Sequence, residues 1–139
     1  MTPPTPTGVR IEPNPVVLTT AGNTQSAKKG FDIYNPDYQD GTVRLPGDIS
    51  NRIHFLRLYQ NGEIVANSSV TEDGHFPSYV SINGVRVLET NSNVTNRTGF
   101  IRLLNTNLSN GDYVARMNYA DSGVIPKFEY DVHIRVAVP

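Results

Sequence analysis

The sequence contains neither cysteine nor tryptophan. Without cysteine there is no disulfide, no zinc–thiolate centre and no thiol nucleophile. Without tryptophan the chain lacks the widest aromatic platform for stacking a sugar ring. An excess of either charge is also missing. Twelve basic and 13 acidic residues, spread along the chain, give a formal net charge of −1. This excludes the basic footprint of a nucleic-acid binder and the polybasic patch of a membrane-surface protein. No apolar run approaches the ~18 residues that span a bilayer. The opening stretch MTPPTPTGVR has no apolar h-region, so no secretory signal is visible and a soluble protein is expected. No GxSxG, P-loop or dinucleotide fingerprint occurs.

What the chain does have is turn chemistry: 14 asparagines, 11 glycines and 10 prolines in 139 residues. Residues 1–7, MTPPTPT, read as an extended Pro/Thr-rich tail, and residues 8–139 as one domain. A domain of this length buries roughly two-thirds of its unfolded surface, enough for a core without staples. From residue 8 onward the dominant period is two. Phe128, Tyr130, Val132, Ile134, Val136 and Val138 alternate with Glu129, Asp131, His133, Arg135 and Ala137, predicting a long half-buried strand. Tyr113, Ala115, Met117 and Tyr119 alternate with Arg116 and Asn118 in the same way. Asn61-Gly62 and Asn83-Gly84 supply the positive φ angles of two-residue hairpin turns. Asp40-Gly41 before TVRL and Asp73-Gly74 before HFPSYVSI mark further reversals, and strands are expected at 16–20, 29–35 and 99–104. No helical period competes. The fold class is all-β, seven to nine strands in an antiparallel sandwich.

One stretch is more diagnostic than the rest. In LSNGDYVARMNY, Leu108 and Gly111 precede Tyr113, which opens an alternating strand. This resembles the tyrosine corner of immunoglobulin-like sandwiches, in which the hydroxyl bonds back to upstream backbone. In that register GFIRLL stands as strand E, the 128–138 segment as the last strand, and HFLRLYQNGEIV as the C–C′ hairpin. The resemblance implies an Ig-like sandwich; the antibody disulfide and central tryptophan are absent. A jelly roll, with eight short strands, is the alternative.

Candidate chemistry is sparse. Glu129, Asp131, His133 and Arg135 have the composition of a catalytic row, but alternate side chains on a strand stand about 6.8 Å apart and parallel rather than convergent. The expectation is a solvated strand face, with at most a weak Asp131/His133 pair. His54 and His75 lack metal-ligand spacing. Asp37, Asp40, Glu72, Asp73 and Asp121 are loop carboxylates without a DxDxDG pattern, so no metal or other cofactor is expected. Four sequons, at Asn67, Asn93, Asn96 and Asn107, would matter only in a secretory context. Tyr34 and Tyr38, in IYNPDY, are the candidates for an interaction loop.

By elimination the chain reads as a non-enzymatic binding or assembly module. Its size, lack of cysteine, short Pro/Thr tail and mild acidity resemble those of accessory proteins of tailed-bacteriophage virions, namely capsid decoration (cement) proteins or tail and baseplate pieces. That resemblance implies location in the virion, a major capsid or other virion protein as partner, and a homo-oligomer, often a trimer. It implies neither nucleic-acid nor membrane partners. The alternative is an adhesion domain of a bacterial surface or pilus, binding glycan or protein.

Overall fold

A computed structural model describes residues 7–47, 53–68, 78–92, 96–119 and 127–139, and the side chain of His54 is not described. The tail before Thr7, His75, Glu72, Asp73, Asp121, Asn93 and the Asp73-Gly74 turn therefore lie outside the described residues.

Among the described residues ten strands form two packed five-stranded sheets, more than the seven to nine expected. They are β1 (Arg10–Glu12), β2 (Val16–Leu18), β3 (Lys28–Tyr34), β4 (Ile53–Gln60), β5 (Glu63–Asn67), β6 (Ser78–Ile82), β7 (Val85–Asn91), β8 (Gly99–Leu103), β9 (Gly111–Tyr119) and β10 (Phe128–Val136). The additional count has a local cause. Pro13 and Pro15 have no N–H to donate, so the first apolar segment cannot continue as one strand. It divides into β1, antiparallel to β3 in one sheet, and β2, parallel to β10 in the other. TVRL forms no strand. Gln39–Gly41 is a 3-10 turn, and Leu45 beyond it is buried, its N–H donating to the Ile33 carbonyl at 2.8 Å.

The first sheet runs β1-β3-β8-β7-β6 and the second β2-β10-β9-β4-β5. The hairpins turn where the sequence indicates: Asn61 and Gly62 have φ of 53° and 79°, Asn83 and Gly84 of 50° and 79°. Each sheet edge is short or interrupted, which discourages further pairing. β1 and β2 have three residues each; β5 carries an extra residue, Val65, against β4; and β6 meets Ser68 across an isolated bridge.

The core lies between the sheets. Phe31, Ile33, Val80, Leu88, Ile101 and Leu103 from the first meet Phe55, Leu58, Met117, Tyr119, Tyr130 and Val132 from the second. Phe128, Ile134 and Val136 join them as expected, whereas Val138 is only half-buried. The Tyr119 and Phe128 rings stack with centroids 5.9 Å apart, and the Tyr130 ring lies tilted against Phe128 at 5.6 Å.

The Tyr130 hydroxyl is buried and, among the described residues, has no hydrogen-bond partner. Burial pushes this phenol well above its usual value, and neighbouring Tyr119 adds to the shift. The native state therefore keeps Tyr130 neutral while the unfolded chain ionises it above about pH 10, so this stability is lost as the pH rises past that value. Tyr130→Phe is expected to stabilise the fold by up to about 1 kcal/mol near neutral pH, by removing the desolvation cost of an unsatisfied hydroxyl. It should also flatten the alkaline decline; urea titrations at neutral pH and above pH 10 measure both effects.

Candidate functional site

The tyrosine-corner residues assemble at the entry to β9. Gly111 adopts φ 150°, Leu108 is buried, and the Tyr113 hydroxyl donates to the Ser109 carbonyl at 2.7 Å. This bond clamps the turn before β9 onto the core. Tyr113→Phe should cost about 1 kcal/mol in chemical denaturation, the net value of one such hydrogen bond, with the fold retained.

Tyr34 and Tyr38 have different surroundings. Tyr34, half-buried near the end of β3, lies under the Arg10 guanidinium, 4.3 Å from the ring centroid. Tyr38 packs against the hydrophobic core. Asp37 and Asp40 are exposed, and among the described residues no group of three His, Cys, Asp or Glu is placed to hold a metal ion.

The charged row of β10 faces outward, except at one end. Asp131, His133 and Arg135 are exposed, but Glu129 is buried, a correction to the expected solvated row. Glu129 sits opposite Asn118, itself fully buried, so this end of the outer face is covered. The expected Asp131/His133 pair is also not what forms. Asp131 instead takes both bonds of a fork from Arg116 across the strand pair, at 2.9 and 3.1 Å. Arg135 donates to Asp112 at 2.8 Å. The antiparallel register places Asp131 opposite Arg116, His133 opposite Val114 and Arg135 opposite Asp112. Directly opposed unlike charges hold one another better than a neighbour two residues along the same strand. The hydrogen bonds that Arg116 donates to Asp131 raise the Arg116 pKa above its usual value, against the opposing effect of partial burial.

A bulge in β4 completes this face. Phe55 pairs with Met117 and Arg57 with Arg116, leaving Leu56 as the extra residue. Ile53 and Phe55 point inward before it and Leu58 after it, so Arg57 and Tyr59 lie on the outer side. Tyr59 stands opposite Val114, and Ile64 of β5 opposite Tyr59. A row Ile64–Tyr59–Val114–His133 thus crosses four strands, flanked by Arg57, Arg116 and Asp131 on one side and by Asn61, Asp112 and Arg135 on the other. A groove of about 510 Å³ follows the row, lined by Tyr59, Asn61, Asp112, Val114, Arg116 and His133 among others. A second concavity of about 300 Å³ continues it past His133 to Asn14 and Pro15.

No spacing within a single strand marks Asp112, Val114, Arg116 and Tyr59 as parts of one site. Pairing the two alternating segments 111–119 and 128–136 in antiparallel register reveals the first three. Tyr59 has no such signal, because only the bulge assigns its side. No family model matches the chain, and no curated protein or solved structure is similar to it.

Proposed function

We propose that the protein is a non-enzymatic assembly module, acting through protein–protein contacts as an accessory component of a bacteriophage virion: a capsid decoration (cement) protein or a tail or baseplate piece. One observation supports a contact role above others. Asp131 and Asp112 are tied to Arg116 and Arg135 in cross-strand pairs around a central stripe of Tyr59, Val114 and Ile64. A partly apolar stripe with a charged rim is the anatomy of a protein–protein contact. Carboxylates held by guanidiniums on an exposed sheet are poorly suited to exchange protons with a substrate. The virion assignment itself rests on likeness of size, composition and fold class to such accessory proteins.

In this role the module covers seams between shell subunits, and the summed burial of many copies resists outward pressure. Co-sedimentation with purified capsid shells stripped of accessory proteins tests it. Saturable binding at a fixed number of copies per shell is expected, and Val114→Glu, on the central stripe, should abolish it without changing the melting temperature by more than a few degrees. A protein that ignores shells and tail assemblies overturns the reading. Capsid and portal genes beside the coding sequence would support it, whereas secretion or usher genes would support the adhesion alternative.

A further inference from the structure

The charges on the contact face have a symmetry that the fold does not require. On β9, Asp112 and Arg116 lie two residues to either side of Val114; on β10, Asp131 and Arg135 lie two residues to either side of His133. Along each strand the sign therefore reverses across the central row. We propose that this face is a homotypic interface, on which a second copy of the chain packs about a twofold axis lying along the row Tyr59–Val114–His133. This rests on the reading of the face as a contact surface and names its occupant.

Rotation about that axis carries each position on to the one equally far across the row. Arg116 of one copy then faces Asp112 of the other, and Asp131 faces Arg135. Tyr59, Val114 and His133 each face their own counterparts, as in any isologous contact. The charged positions lie about 6.8 Å from the axis, and packed sheets stand about 10 Å apart, within reach of arginine and aspartate side chains extended from both. Strands of the two copies run antiparallel, within the roughly 30° that aligned sheet packing tolerates. All four charged groups are partly exposed and able to accept a second partner, with side-chain exposures of 38% for Arg116, 40% for Asp131, 54% for Arg135 and 73% for Asp112.

Arg57 adds an independent indication. It stands directly opposite Arg116, a like-charge pair that is unfavourable within one chain. Its described hydrogen bond is to the Tyr59 hydroxyl at 3.3 Å, and among the described residues it has no carboxylate partner. The same rotation places Arg57 over Asn61 of the second copy, beside that copy's Asp112. A twofold partner thus supplies the negative charge that this position lacks.

The test exploits the difference between charges paired within a chain and between chains. Arg116→Asp combined with Asp131→Arg keeps the internal ion pair but reverses its direction, so that like charges face one another across the axis. Adding Asp112→Arg and Arg135→Asp reverses the second pair and restores opposite charges at both crossing pairs, 116 with 112 and 131 with 135. Sedimentation velocity over a concentration series is expected to show a salt-sensitive dimer for the wild type. Self-association should be at least ~100-fold weaker for the double variant, and recovered in the quadruple variant. Far-UV circular dichroism and thermal melts verify that all three fold. A wild type that stays monomeric at every concentration, or a double variant that dimerises as well as the wild type, overturns the proposal. A monomeric wild type whose shell binding is nonetheless lost in the double variant also overturns the twofold pairing, while leaving the contact-face reading in place.

Discussion

Gly47→Ala is expected to destabilise the protein by about 3 kcal/mol or more, enough to leave a substantial fraction unfolded at physiological temperature. A Cβ at this position would be driven into the backbone carbonyls of Arg97 and Thr98. Neither side of the contact can yield cheaply. Two residues upstream, the Leu45 N–H donates to the Ile33 carbonyl at 2.8 Å, and the Leu45 carbonyl accepts from the Thr98 hydroxyl at 2.8 Å. Thr98 is itself held, its hydroxyl accepting from the Ile33 N–H at 3.1 Å and its own N–H donating to the Phe31 carbonyl at 3.1 Å. The loop therefore lies flat against the ends of β3 and β8, and only a residue without a side chain allows the approach. Urea denaturation measures the loss. A change under 1 kcal/mol would mean that the loop is not seated this way.

Glu89→Ala should be comparably costly, at about 3–4 kcal/mol. Glu89 and Arg102 face one another across β7 and β8 on the outer side of the first sheet, and their side chains are only 7% and 11% exposed. Arg102 Nε donates to Glu89 Oε1 at 2.7 Å, and Nη1 reaches the Thr24 carbonyl at 3.1 Å. Lys28 and Arg102 also lie over the Phe100 ring, 4.4 and 5.7 Å from its centroid, concentrating positive charge at this spot. Removing Glu89 leaves a nearly buried guanidinium beside an ammonium with no carboxylate to balance it. Because the cost arises from the stranded charge rather than from loss of the pair, replacing both residues by leucine should restore much of the stability. Thermal and urea unfolding of the single and double variants test this directly, and a double variant less stable than Glu89→Ala would refute the explanation.

Much of the fold was legible because a half-buried strand imprints period two on its sequence. The segments 111–119 and 128–136 carry that period along their core faces, and they form the long central hairpin of the second sheet. Asn61-Gly62 and Asn83-Gly84 were equally readable, since few other dipeptides tolerate positive φ at both positions. The Leu108–Gly111–Tyr113 pattern was readable because the hydrogen bond it makes is local, four residues back along the chain.

The contact face was less legible, because bulges and burial intervene. In IHFLRLYQ strict alternation would set Ile53, Phe55, Arg57 and Tyr59 on one side. The extra residue Leu56 breaks that parity and moves Arg57 and Tyr59 to the outer surface. A bulge is a property of two paired strands, and nothing in either strand alone announces it. Glu129 shows the same limit in another form: its place in the alternation is outward, yet it is buried against Asn118.

The sequence by itself determined the class of fold, the central hairpin, its turns and most of the core. These depend on side-chain period and on backbone preferences of single residues, both of which are local. Only the tertiary structure decided how the apolar first segment divides between sheets, which acid meets which arginine, and how Tyr59, Val114 and His133 come into one row. Those depend on register between strands distant in sequence. Register is set by packing across the whole sandwich, where moving one strand by a single residue would exchange its core and solvent faces.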